Sequence, residues 1–228
     1  MNIVITGCSR GIGLELVKLF SQQHNVYCLS RNIDPIEKYK NEVGDSNRIK
    51  FLQFDFESLN TIELNSFLTI ENGIDILINN AGYLVNETFG QISESNLRRM
   101  YEVNVLGPFR LMQIVLPLLR EDNSHVISIG SMGGVQGSVK FPGLSAYSSS
   151  KGGMSILTEC LAEEYKESNI KFNCLALGAV QTEMLNEAFP GYEASVSAKE
   201  MAEYIYSFAL NGSRFINGKV ISVSNSTP

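Results

Sequence analysis

Histidine is almost missing from this chain: His24 and His125 are the only two, far apart and without ligand-spaced partners. A histidine-based metal site or a serine-type triad therefore has little to be built from. Cysteine is scarce too. Cys8, Cys28, Cys160 and Cys174 are scattered without C-x-x-C spacing, and two of them lie in apolar strand-like runs, so reduced, buried thiols are expected. Lys and Arg total 18 against 24 Asp and Glu, a net charge of −6, and the basic residues form no patch. Nucleic-acid binding thus lacks its electrostatic footing. No apolar run approaches the roughly eighteen residues of a membrane span. The N-terminal MNIVITG carries neither the basic region nor the cleavage site of a secretion signal. A soluble, cytoplasmic protein without a metal, membrane or nucleic-acid partner is expected.

What the chain does have is 44% apolar residues over 228 positions, ample for a core. No Pro/Gly/Ser-rich linker or charge run divides it, which predicts a single domain over 1–228. Short apolar runs at 2–6, 25–30, 49–54, 74–78, 125–130, 170–175 and 219–223 read as strands. Between the first two, Ile12, Leu16, Leu19 and Phe20 form one helical face, and 97–119 and 148–166 are long enough for helices. This alternation predicts an α/β fold: one doubly wound, about seven-stranded parallel sheet with helices on both faces. Ligands then bind beyond the carboxyl ends of the strands.

The first strand runs into TGCSRGIG, with Gly7, Gly11 and Gly13 leading into a helix. Such a turn lets backbone approach a pyrophosphate, and the helix N-terminus offers unpaired N–H groups. The second strand ends YCLSRN, with Ser30 and Arg31 where an acidic residue would bind ribose hydroxyls. Arg31, with Arg10 from the glycine loop, suits a 2′-phosphate, so NADP(H) is favoured over NAD(H). Further along, Tyr147 and Lys151 stand one helical turn apart in AYSSSK. Side chains at i and i+4 share a face. An ammonium there should lower the phenol's pKa from its ordinary value of about 10, toward acid/base use. Pro108 falls within a helical pattern and clashes with the carbonyl four residues back, that of Asn104, which should be released at a kink.

Together with NNAG at 79–82, FDF at 54–56, VNVLGPF, ISIGS and GAVQTE, these segments resemble the short-chain dehydrogenase/reductase family over almost the whole chain. The resemblance implies that Asn104, Ser131, Tyr147 and Lys151 are the catalytic set. It implies a cofactor site made of Gly7, Ser9, Arg10, Gly11, Ile12, Gly13, Arg31, Asp55, Phe56, Asn80, Ala81, Gly82, Tyr147, Lys151, Val180 and Thr182. Tyr147 would pass a proton to a carbonyl oxygen held by Ser131 while hydride arrives from the nicotinamide. Lys151 would tune the tyrosine and hold the ribose, with a water at the Asn104 kink relaying protons. A non-catalytic dinucleotide sensor of the same fold is the contrasting reading, and the retained catalytic side chains weigh against it.

The chain departs from the family in places. Sixteen residues separate Ser131 from Tyr147, with VKFPGLS in the added loop, so Ser138 and Ser145 compete with Ser131 on spacing alone. Leu177 stands where the family has proline, which should loosen the nicotinamide-side turn, and the chain ends VSNSTP rather than Asp-Gly-Gly. A short segment, 183–198, is left to cover substrate. Phe141, Leu144, Met184, Leu185, Phe189 and Tyr192 predict a mostly apolar pocket for a small ketone or aldehyde. A 3-oxoacyl thioester reductase is a family alternative, disfavoured because an acidic carrier needs a basic landing patch. Apolar surplus on 97–119 and 148–166, including Met154, Leu157, Leu161 and Tyr165, predicts a homodimer or homotetramer.

Overall fold

A computed structural model describes residues 1–44 and 47–225. Seven parallel strands form one sheet in the order β3-β2-β1-β4-β5-β6-β7. They are β1 (Asn2–Thr6), β2 (Asn25–Ser30), β3 (Ile49–Gln53), β4 (Ile76–Asn79), β5 (Ser124–Ser131), β6 (Ile170–Leu177) and β7 (Lys219–Val223). The order reverses between β1 and β4, which pair in register through Ile3 with Ile76 and Ile5 with Ile78. Chains leaving these two strands diverge to opposite sides, and a crevice opens between them.

Side-chain alternation sorts the core into two layers. Ile3, Ile5, Cys28, Ile76, Ile78 and Ile127 face α1 (Gly11–Phe20) and α8 (Ala198–Asn211), whose Leu16, Phe20, Ile205 and Phe208 complete that layer. Val4, Leu29, Leu77, Val126 and Phe172 point the other way, against α5 (Gly107–Val115) and α6 (Ser145–Glu164). Helices on both faces are what long parallel strands require, since neither face can be left to water. The α8 start is set by a capping box in which Ser197 Oγ accepts from Glu200 N at 3.2 Å while Glu200 Oε2 accepts from Ser197 N at 2.9 Å. The remaining helices are α2 (Asp34–Val43), α3 (Thr61–Phe67), α4 (Glu94–Tyr101) and α7 (Glu183–Ala188).

The structure corrects several sequence expectations. The fourth strand starts later than 74, because Ile74 makes a separate bridge to Leu119. The helix expected over 97–119 is broken into α4, a π turn at Glu102–Leu106, α5 and a 3₁₀ turn at Leu116–Leu118. Pro108 explains the π turn: lacking an N–H, it cannot continue the ladder to Asn104, and the helix widens there. Met154 lies in the chain's own core and Leu157, Leu161 and Tyr165 pack against it, so they are no surplus. The apolar side chains left exposed nearby are Leu106, Phe109 and Ile156. All four cysteines are free, and Cys160 is exposed rather than buried. Of the VSNSTP end, the last three residues lie outside the described residues. No described helix is long and apolar enough to cross a membrane. Among the described residues no cluster of His, Cys, Asp and Glu could hold a metal ion.

Candidate active site

The glycine loop leaves β1 with Gly7 at φ +71°, a conformation that disfavours a side chain, and Gly7 N donates to Leu29 O at 2.8 Å. A Cβ at Gly13 would stand 2.1 Å from Gly7 O, so loop and helix pack closer than any other residue permits. The NNAG segment locks this turn from β4. Asn80 Nδ2 donates to Thr6 O at 2.9 Å and Gly7 O at 3.0 Å, while Asn80 N and Ala81 N both donate to Thr6 Oγ1. Thr6 was missed in the sequence, where it reads as the last residue of a strand. Arg10, the N-cap of α1, makes no side-chain cap, and the helix carries no acid in its first turn. Its leading N–H groups, at Gly11 and Ile12, line the crevice and favour an anion.

That crevice has a volume of about 880 Å³. Gly7, Ser9, Arg10, Gly11, Ile12, Arg31, Asp55, Phe56, Asn80, Ala81, Gly82, Val180 and Thr182 line it, together with Ser131, Tyr147 and Lys151. Gly13 and Asn104 stand behind the wall. Asp55 also accepts from Glu57 N at 3.0 Å, capping a short 3₁₀ turn, and Phe56 is largely core, edge-on to Phe54. The far end is apolar, walled by the expected Phe141, Leu144, Met184, Leu185, Phe189 and Tyr192 and by Leu84, which sequence reading did not single out.

At the head of β5, Ser131 Oγ accepts from Gly133 N at 3.2 Å, which turns the chain sharply after the strand. Tyr147 enters from the first turn of α6, its phenol close enough to Ser131 for that side chain to act on it. Ser138 donates to Val135 O at 2.9 Å, and of the three candidate serines only Ser131 lines the crevice with Tyr147; Ser138 and Ser145 do not. Lys151, one turn on, is 5% exposed, donates from Nζ to Ile129 O at 2.7 Å and stands 5.9 Å from the Tyr147 ring centre. Burial pushes the Lys151 ammonium down to about 8 and the Tyr147 phenol up to about 12, with Ser131 only partly offsetting the latter. Tyr147 keeps some exposure into the crevice, but its phenol is enclosed by protein. The expected lowering of the tyrosine by its neighbour is therefore not what the structure shows: desolvation dominates, and only the interaction with Ser131 works against it.

Asn104 is 1% exposed and fully engaged. Its Oδ1 accepts from Tyr83 N at 2.8 Å, and its Nδ2 donates to Tyr83 O at 2.9 Å and Ser150 Oγ at 3.0 Å. Ser150 Oγ in turn donates to Tyr147 O at 2.7 Å, so the Asn104 amide ties the π turn to α6. An added Cβ at Gly82 would sit 3.6 Å from both Asn104 Oδ1 and Lys151 Nζ. Glycine there leaves the two groups a shared space.

The segment after β6 closes the front. Leu177 is not a loose joint: it pairs with Val223, and Gly178 N donates to Val223 O at 2.9 Å. Gln181 pins the segment through Gln181 N to Val196 O at 2.8 Å and through its amide, which donates to Asn186 Oδ1 at 2.7 Å and accepts from Ala194 N at 2.7 Å. Thr182 Oγ1 caps α7 by accepting from Leu185 N at 3.3 Å. Arg10, expected to close with Arg31 on one phosphate, is engaged by α7 in this structure. Its guanidinium grips Glu187 of α7, with Nη2 to Oε2 at 3.0 Å, and holds that carboxyl below its usual range.

The sequence model described as short chain dehydrogenase matches residues 1–193. The chain belongs to the short-chain dehydrogenase family and is an oxidoreductase of that family. An uncharacterized oxidoreductase of Staphylococcus saprophyticus is 35% identical over 191 residues, covering 80% of this chain and 75% of that protein. A short chain dehydrogenase from Shigella flexneri 2a complexed with NADP superposes with a TM-score of 0.87 at 23% identity, covering 97% of this chain and 95% of the other. A 3-ketoacyl-(acyl-carrier-protein) reductase from Brucella melitensis complexed with NADH gives 0.85 at 21% identity, covering 97% and 96%. The family uses a nicotinamide cofactor, and these two likenesses include one of each kind.

Proposed function

We propose that this chain is an NADP(H)-dependent oxidoreductase that interconverts a small, partly apolar carbonyl compound and its secondary alcohol. The observation that carries it is the convergence of Ser131, Tyr147 and Lys151 on one wall of a crevice whose other end is a glycine cradle. The cradle fits a dinucleotide: Gly7 and Gly13 leave no room for a Cβ, and the α1 N-terminus has no internal acid to compete with a phosphate. When bound, the cofactor supplies the hydride. The chain's own residues do the rest. Tyr147 donates its phenolic proton to the carbonyl oxygen, and Ser131 hydrogen-bonds the same oxygen. Lys151, held by Ile129 O, places a cation under the phenol, and Asn104 positions the helix that carries both. A phenol near 12 stays protonated at neutral pH, the form that reduction needs.

In this reading residues 1–228 act as one cofactor-binding and catalytic unit, and 183–198 cover the substrate. The apolar end, with Phe141, Leu144, Met184 and Phe189, takes an uncharged substrate. The acidic balance of the chain favours a free carbonyl over one carried on an acidic protein. Exposed Leu106, Phe109 and Ile156 suit a homodimer or homotetramer. The test is NADPH oxidation at neutral pH against ketones, aldehydes, quinones and short 3-oxoacyl thioesters, with NADH run alongside. Turnover of uncharged carbonyls with NADPH preferred supports the reading. Tight NADPH binding with no turnover across the panel would instead mark a sensor.

A further inference from the structure

The ion pair between Arg10 and Glu187 joins residues 177 positions apart, one on the glycine loop and the other on the last turn of α7. Both terminal nitrogens of the guanidinium, Nη1 and Nη2, meet the two oxygens of the carboxylate, a two-pronged geometry that a phosphate monoester also satisfies. One turn earlier on α7, Glu183 directs its carboxylate to the same loop, with Oε2 3.4 Å from where a Gly11 Cβ would lie. The acidic face of α7 thus occupies the cation that the cofactor reading assigns to the 2′-phosphate.

We propose that Glu187 is a cofactor-specificity residue: it holds Arg10 in place of a 2′-phosphate, so NADP(H) must displace it and NAD(H) need not. This rests on the reading of Arg10 as a 2′-phosphate partner. Displacement is feasible because the pair is open to solvent, with side chains 45% and 61% exposed. Such pairs shift an equilibrium by at most about fivefold. A phosphate monoester carries roughly −1.5 to −2 charges at pH 7 and outbids a single carboxylate for the same guanidinium. Glu187 therefore trims, rather than abolishes, the gain that Arg10 offers to NADP(H).

The test is titration calorimetry of the full chain with NADPH, NADH and adenosine 2′,5′-bisphosphate, in wild type, Glu187→Ala, Arg10→Ala and the double variant. Glu187→Ala is expected to tighten NADPH and the bisphosphate by about two- to fivefold and to leave NADH almost unchanged. Arg10→Ala should weaken NADPH and erase the effect of Glu187→Ala. A gain that survives without Arg10 is a general field effect of the lost charge and overturns the proposal. So does an unchanged NADPH to NADH ratio in Glu187→Ala when Arg10→Ala still lowers that ratio; the cofactor reading then stands. Equal wild-type affinity for NADPH and NADH, untouched by Arg10→Ala, removes that reading and the proposal together.

Discussion

Replacing Lys151 by methionine should make the cofactor-free protein more stable at neutral pH while removing its activity. The Lys151 ammonium is 5% exposed and sits at about 8 in the fold, against 10.5 when free. Below pH 8 both folded and unfolded chains carry the proton, and the fold bears a cost of about 3 kcal/mol for burying the charge. As pH rises from 8 to 10.5 the folded chain sheds its proton first, and that cost disappears. Methionine has similar bulk and no charge, but it forfeits the bond from Nζ to Ile129 O, worth about 1 kcal/mol. The net gain at pH 7 is about 2 kcal/mol, or roughly 4–8 °C in melting temperature for a chain of this size. Urea denaturation at pH 7 and about pH 10 is the assay, and the advantage of Lys151→Met should vanish or reverse at the higher pH. A variant less stable than wild type at pH 7, or equally improved at both, would refute the desolvation argument. Its success would mean that the site maintains a destabilising charge for its chemistry.

Three other outcomes are expected. His125 is 2% exposed and burial pushes it down to about 4, so the fold favours the neutral ring. Its contribution is complete above about pH 6.5 and is lost as pH falls toward 4, to a total of about 3 kcal/mol; urea midpoints of His125→Gln should show a flatter slope over that window. Gly13→Ala places a Cβ 2.1 Å from Gly7 O and 2.6 Å from Asn80 Nδ2, so overpacking should cost about 1–3 kcal/mol. NADPH binding should drop at least tenfold by fluorescence titration, and wild-type affinity would contradict the cradle. Asn104→Ala strips three hydrogen bonds from a buried amide, and both stability and turnover should fall. Asn104→Asp should not rescue them, since a carboxylate cannot donate to Tyr83 O.

The sheet was readable because β-branched runs alternate with helical periods, and the glycine loop because Gly7, Gly11 and Gly13 follow the first strand directly. Tyr147 and Lys151 were legible by spacing and Ser131 by ISIGS at the end of the fifth strand, and all three line one cavity. What escaped the sequence depends on tertiary neighbours. The phenol moved up rather than down because enclosure, not the adjacent lysine, decides its environment. Arg10 met Glu187 across 177 residues, a partnership no local pattern signals. The π turn follows from Pro108, but the lock of the Asn104 amide on Tyr83 that accompanies it does not show in a linear pattern. Thr6 hid as an ordinary strand end although its hydroxyl receives two backbone N–H groups.

Turnover of Tyr147→Phe on a carbonyl substrate reduced by the wild type, with NADPH affinity determined on the same preparation, bears most directly on the assignment of the phenol as proton donor. The ring and its packing are kept, and only the hydroxyl beside Ser131 is removed. Turnover should fall roughly a hundredfold to ten-thousandfold, the span of general acid catalysis, with NADPH binding within about twofold of wild type. Turnover within a few-fold of wild type, at unchanged NADPH affinity, would contradict it.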